Sequence, residues 1–245
     1  RCFMNKDVIK IFSQVVLAKR TIRIKLLGDS ITHGVGGTGF AQNGELIVEG
    51  YARNPDGYCW AKKFKDYMEA QFNCVVTNNA CAGTRIEFII EHFDELVEDE
   101  DDIILCMIGT NNRSQHYVDG PKCDKQEYTE RFYQNIIVLH NKFKSAGKEV
   151  VFISNIPAAL ESEKDGNCSW RIFHMNDVHD LYVKASVECG FPLIRLYTLF
   201  MGYCEQKDIS MNSLLIDGLH PNDAGYDVMF KLLMDEIGIA RKILS

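Results

Sequence analysis

The sequence predicts an α/β fold, a three-layer sandwich with a central parallel sheet of about five strands covered by helices on both faces. Three observations carry that expectation. Short, near-continuously apolar runs alternate with stretches of helical periodicity along the 245 residues. The runs lack the polar alternation of a sheet with one wet face. No repeat, low-complexity tract or linker divides them. A chain of this length buries roughly 70–75% of its unfolded surface, enough for one large domain without a metal or disulfide staple.

In chain order, residues 1–21 read as an N-terminal helical extension ahead of a single domain over 22–245, with Met4, Val8, Ile11 and Val15 on one face. Lys6, Lys10, Lys19 and Arg20 raise a membrane surface as one reading. For so short a stripe, packing on the domain edge is the stronger one. The first strand is Ile22–Leu27. Residues 31–57 follow with seven of the 18 glycines, too long for a routine βα connection, and mark a functional loop. A helix at about 58–72, a strand at Cys74–Thr77, a helix at about 85–97 and a strand at Ile103–Ile108 come next. Tyr128, Phe132, Ile136, Leu139 and Phe143, three and four apart, predict a helix. Asp124 and Glu127 open it as a capping box and Gly147 closes it. Then come a strand at Glu149–Ser154, a second long connection over 155–169, a helix at about 170–188 and a strand at Pro192–Leu196. The last helix, 223–238, carries Tyr226, Met229, Phe230, Leu233 and Ile237.

Composition narrows the function. Hydrophobic residues at 46% with 25% charged exclude wholesale disorder, and a net charge of −7 argues against a phosphate-backbone binder. No nucleic-acid partner is expected. The nine cysteines form no CxxC pair, and Cys74, Cys106 and Cys189 sit in or beside apolar stretches as small hydrophobes. Many unpaired cysteines favour a reducing compartment, so a cytoplasmic location is expected. Near the N-terminus the longest apolar run is Val15-Val16-Leu17-Ala18, too short for a signal-peptide core, and no segment approaches a membrane span. The sequence opens at Arg1, which leaves a preceding segment open.

Open parallel sheets bind ligands beyond the carboxyl ends of their strands. The five strands are followed by Gly28-Asp29-Ser30, then Ala82-Gly83-Thr84, then Gly109-Thr110-Asn111-Asn112, then Asn155. Asp217-Gly218-Leu219-His220-Pro221 comes at some distance after the last. Acyl transfer needs a nucleophile, a base that is itself oriented, and donors for the developing oxyanion. All of these residue types fall on one edge.

At these residues the chain resembles the SGNH (GDSL-type) hydrolase superfamily, over about residues 22–235 and with four motif blocks in the family's order. A lone Gly-Asp-Ser occurs often by chance; four blocks at successive strand ends are specific. The resemblance implies a flavodoxin-like SGNH-hydrolase fold and a catalytic triad of Ser30 as nucleophile, His220 as base and Asp217 as its orienter. It also implies an oxyanion hole made of the Ser30 and Gly83 amides and the Asn111 side chain, with no metal and no cofactor. Ala80 stands where the family usually has glycine, and Asn112 where it usually has aspartate; both departures bear on turn geometry more than on chemistry.

The expected function is therefore a serine esterase acting through an acyl-enzyme on an acyl, foremost acetyl, ester. Phe40, Tyr51 and Arg53 on the glycine-rich loop, with Trp170 on the second connection, favour an open polar cleft for an O-acylated carbohydrate. An O-acetyltransferase would differ only in the acceptor of the acyl group, and a lipase or thioesterase would use the same triad. A non-catalytic glycan-binding domain has no need of Ser30, Asp217 and His220 together.

Blander readings compete at each residue. Ser30 alone would be a helix N-cap, Asn111 a satisfier of loop backbone, and His220 a turn residue before Pro221. Gly34 to Gly39 formally fits GxGxxG, but Phe40-Ala41-Gln42-Asn43-Gly44 opens no helix and Asn78-Asn79 follows the second strand. That stretch reads as a flexible loop. No GxSxG elbow is present. The seven acids from Asp94 to Asp102 read as a solvated face, without EF-hand spacing. His174 and His179, five apart, lie on different helix faces and make no metal pair.

Overall fold

The computed structural model describes residues 6–114, 124–159 and 171–239; Met4 and Trp170 lie outside them. The elements are α1 (Lys6–Leu17), β1 (Ile22–Gly28), α2 (Ser30–His33), β2 (Leu46–Val48), β3 (Tyr51–Ala52), α3 (Trp60–Gln71), β4 (Cys74–Asn78), α4 (Ile86–Glu91), α5 (Phe93–Leu96) and β5 (Ile103–Met107). There follow α6 (Lys125–Ser145), β6 (Glu149–Ile153), α7 (Met175–Cys189), β7 (Leu193–Ile194), α8 (Leu196–Lys207) and α9 (Asp223–Ile237). The five long-range strands form one parallel sheet in the order β4-β1-β5-β6-β7. This is the α/β sandwich expected. Strand order reverses at β1, so a crevice opens beyond the carboxyl ends of β1 and β5.

Alternation along the strands builds two cores. Ile24, Leu26, Val76, Leu105, Met107, Val151 and Ile153 face α1, α3, α8 and α9. Leu27, Ile104, Cys106, Ile108, Val150 and Phe152 face α4, α5, α6 and α7. Val8, Ile11, Phe12 and Val15 of α1 are buried in the first core, with Phe12 edge-on to Phe64 at 6.3 Å. The apolar stripe of α1 is thus spent on the domain and is not free to meet a membrane. All five stripe residues of α6 are buried, and the Asp124 side chain accepts from the Glu127 amide at 2.9 Å. Among the described residues no helix is long and apolar enough to cross a membrane.

Four local expectations change. The stretch 85–97 is two helices, because the chain turns at His92 (φ −99°, ψ 25°) and so swings Phe93 inward against Phe143, ring centroids 5.3 Å apart. Pro192–Leu196 shrinks to two strand residues, since α8 begins at Leu196 and buries Leu196, Phe200 and Cys204. The glycine-rich stretch is anchored rather than flexible. The Thr38 amide and hydroxyl donate to the Asp223 carboxylate at 2.8 and 2.7 Å, and a Cβ on Gly36 (φ +100°) would collide with the Pro221 carbonyl. Lastly, the acidic run is only partly a solvated face. Asp101 and Glu98 lie 3.4 and 3.1 Å from the ammonium of Lys25, a β1 residue with no exposed surface, so two of the acids compensate a buried cation.

β4 is one of the two edge strands of the sheet. There Lys65 of α3 donates to the Val76 carbonyl at 2.8 Å, Glu69 accepts from the Val76 amide at 2.8 Å, and the two side chains pair with each other at 2.6 Å.

Candidate active site

β1 delivers Asp29 and Ser30 to the crevice. Asp29 is the N-cap of α2, accepting from the Ile31 amide at 3.1 Å, so the capping role falls to it and Ser30 is left as the first helical residue. At that position the Ser30 amide has no intrahelical acceptor. Asp29 is fully buried; burial pushes its carboxyl up, against the Ile31 amide and the Thr110 hydroxyl and amide that bond it. Asn155, after β6, donates to Thr110 Oγ1 at 2.8 Å and lies 3.4 Å from Asp29 Oδ2. The ends of β1, β5 and β6 are thereby tied beneath Ser30.

Ser30 Oγ lies 2.9 Å from His220 Nε2, and His220 Nδ1 lies 2.7 Å from Asp217 Oδ2. A carboxylate facing Nδ1 requires the proton there, which leaves the Nε2 lone pair to accept from the serine hydroxyl. Asp217 Oδ1 accepts from the Leu219 and His220 amides at 3.0 and 2.7 Å. Burial would raise the Asp217 carboxyl, but its bonds from the His220 ring and from these amides outweigh it and hold it below the usual range. The loop itself is closed by an antiparallel bridge between Leu215 and Pro221 and by the Ala159 amide donating to the Gly218 carbonyl at 2.8 Å. Three residues spread over 190 positions meet in one chain of hydrogen bonds.

The two remaining expected residues stand on neighbouring loops. Gly83 has φ +80°, a backbone region that disfavours a side chain, and among the described residues its amide meets no acceptor. Asn111 donates one amide hydrogen to the Thr84 carbonyl at 2.8 Å, and among the described residues the other meets no acceptor. Its neighbour Asn112 is buried differently. Asn112 Oδ1 accepts from the Ile86 amide at 3.1 Å and its Nδ2 donates to Glu87 at 2.8 Å, so it caps α4, whose own N-cap, Arg85, has no capping side chain.

The loop aromatics are already engaged. Phe40 is edge-on to His33 at 5.4 Å, Tyr51 to Phe88 at 5.3 Å, and Arg53 donates to Asn79 at 2.9 Å and pairs with Glu45. A cavity of about 490 Å³ lined by Arg53, Asn54, Lys62, Lys65 and Asn78 includes none of Ser30, Asp217 and His220. His174 and His179 part as expected: His174 sits in a capping box with Asp177, while His179 is buried, stacked on Tyr197 and 3.0 Å from Ser154.

The sequence reading missed His33. It is 1% exposed, one turn after Ser30, and its ring bridges β3 and the loop after β4: Nε2 lies 2.9 Å from the Ala52 carbonyl, and Nδ1 accepts from the Ala82 amide at 3.1 Å. Burial pushes its imidazole down. Only its spacing from Ser30 hinted at a role.

Comparison with known proteins adds the following. The GDSL-like lipase/acylhydrolase family matches residues 26–228. A multidomain esterase of Ruminococcus flavefaciens is 28% identical over 240 residues, covering 90% of this chain; the chain spans only 29% of that relative's length. An acetylxylan esterase from Geobacillus stearothermophilus superposes with a TM-score of 0.65 at 18% identity, over 89% of this chain and 95% of that one. A protein described as a GDSL-like lipase from Parabacteroides merdae gives 0.66 at 17% identity, over 90% and 97%. At such identities the two structures speak for the fold.

Proposed function

Since the chain belongs to the GDSL-like lipase/acylhydrolase family, whose members hydrolyse esters, we propose that it cleaves acetyl esters of a carbohydrate, with Ser30 as nucleophile. The observation that carries this reading is the unbroken hydrogen-bond chain Ser30–His220–Asp217, at 2.9 and 2.7 Å. His220 takes the Ser30 proton as Oγ attacks the acyl carbon, and Asp217 stabilises the imidazolium that forms. The amides of Ser30 and Gly83, with the spare hydrogen of Asn111, hold the oxyanion. Collapse of the tetrahedral intermediate breaks the ester C–O bond, and His220 passes its proton to the leaving alcohol. Water, deprotonated by His220, then attacks the acyl-enzyme, releasing the acid and restoring Ser30 with its proton.

The acetyl–carbohydrate part draws on the relatives: one solved neighbour is an acetylxylan esterase, and variants of it are altered at a catalytic serine, aspartate and histidine. The last two stand three positions apart there, the spacing of Asp217 and His220. A fluorophosphonate should add one label, and peptide mapping should find it on Ser30. A label elsewhere, with Ser30→Ala still active, sinks the serine assignment. On a panel of acetylated xylo-oligosaccharides and aryl esters of rising chain length, acetyl groups should turn over fastest. Preference for long acyl chains would replace the carbohydrate reading by a lipase.

A further inference from the structure

We propose that His33 is a positioning residue that sets the Gly83 amide for the oxyanion, acting through the hydrogen bond it accepts from the Ala82 amide. The inference rests on the serine mechanism above and names a part that the motif blocks do not contain. The three residues Ala82-Gly83-Thr84 are held at both ends. His33 Nδ1 accepts from the Ala82 N–H at 3.1 Å, and Asn111 Nδ2 donates to the Thr84 carbonyl at 2.8 Å. Thr84 adds a bond from its hydroxyl to the Cys81 carbonyl at 2.7 Å. Between these anchors the Gly83 amide, at φ +80°, meets no acceptor among the described residues. A donor aimed at an oxyanion works only if its direction is fixed before charge develops. Glycine supplies no rigidity of its own, so the direction must come from its neighbours.

His33 is well placed to give it. It belongs to the same short helix as Ser30, so one rigid turn carries both the nucleophile and the brace for its oxyanion loop. Its own position is fixed: Nε2 donates to the Ala52 carbonyl at 2.9 Å, the His33 carbonyl accepts from Asn54 at 2.9 Å, and the ring lies against Phe40. With a carbonyl facing Nε2 and an N–H facing Nδ1, only the neutral ring protonated on Nε2 satisfies both. Burial, which disfavours the imidazolium, acts in the same direction.

Two substitutions separate the two bonds. Glutamine places an amide nitrogen near the Nε2 position and keeps the bond to Ala52, but gives Ala82 no acceptor. Asparagine places its oxygen near Nδ1 and keeps the Ala82 bond while losing Ala52. His33→Gln should therefore lower kcat on an aryl acetate by about tenfold or more, below the about 10²–10³ of a deleted donor, with KM unchanged. His33→Asn should stay within about threefold of the parent, whatever each variant does to the melting temperature. A packing role would instead lower both activities in step with stability, and a fully active His33→Gln overturns the assignment outright.

A measurement on the unaltered protein does not depend on either variant folding. The ¹⁵N shifts of His33 should report the Nε2–H tautomer throughout the pH range of activity; a protonated or Nδ1–H ring in the active enzyme overturns the proposal. The two readings fail separately. Absence of a fluorophosphonate label on Ser30 removes the mechanism and this inference with it, whereas a labelled Ser30 beside an indifferent His33 removes only the brace.

Discussion

At the scale of single residues, the adjacent asparagines give the sharpest contrast. Asn111 keeps a spare donor, so Asn111→Ala should lower kcat by about 10²–10³ with KM and melting temperature nearly unchanged. Asn112 spends both ends of its amide on α4, so Asn112→Ala should mainly lower the melting temperature. The reverse pattern would put the third motif one residue out of register. Asp217→Asn should cost on the order of 10⁴ in kcat by presenting the wrong hydrogen-bonding face to Nδ1, and a loss under tenfold would exclude an orienting carboxylate. The proposed triad of Ser30, Asp217 and His220 was legible because the reading rests on side-chain types that acyl transfer needs and on their places after strands. His33 was not: both its partners are remote backbone groups, and a carbonyl or an amide leaves no mark on the sequence.

Among the helices, a one-sided stripe made α6 readable and a blurred one hid α8. α6 showed its stripe and its cap; α8 hid because Tyr197, Leu199, Met201 and Tyr203 blur the stripe of Leu196, Phe200 and Cys204. β2 and β3 are too short for any period to register. α9 also does more than cover the sheet. Its buried Tyr226 shares its one hydroxyl proton between the carbonyls of Val35, at 2.7 Å, and Ile31, at 3.1 Å, and so pins the far end of α2. Tyr226→Phe leaves those acceptors without their donor and should cost about 1–3 kcal/mol in a urea titration. An unchanged midpoint would mean that α2 is held by its neighbours alone.

For the molecule as a whole, the buried charge on β1 sets a condition on stability. Lys25→Met strands Asp101 without its cation and should cost about 3–5 kcal/mol, most of it recovered when Asp101→Leu is added. Additive losses would show the two to be independent. Acid should weaken the fold through its histidines. Burial pushes the imidazoles of His33, His140 and His179 down, so the unfolded chain binds protons that the folded one refuses. Their contribution is complete above the unfolded value of about 6.5 and is lost as pH falls through the lower folded values. The melting temperature should therefore drop from about pH 7 to about pH 5; a flat profile would contradict this. Finally, the Lys65–Glu69 pair on β4 bears on how copies of the chain treat one another. A strand approaching that edge would need the amide and carbonyl of Val76, and both are already taken by side chains that carry opposite charges. To pair through Val76, two molecules meeting at this edge would each have to give up the Lys65–Glu69 contacts first, which disfavours edge-to-edge stacking through β4.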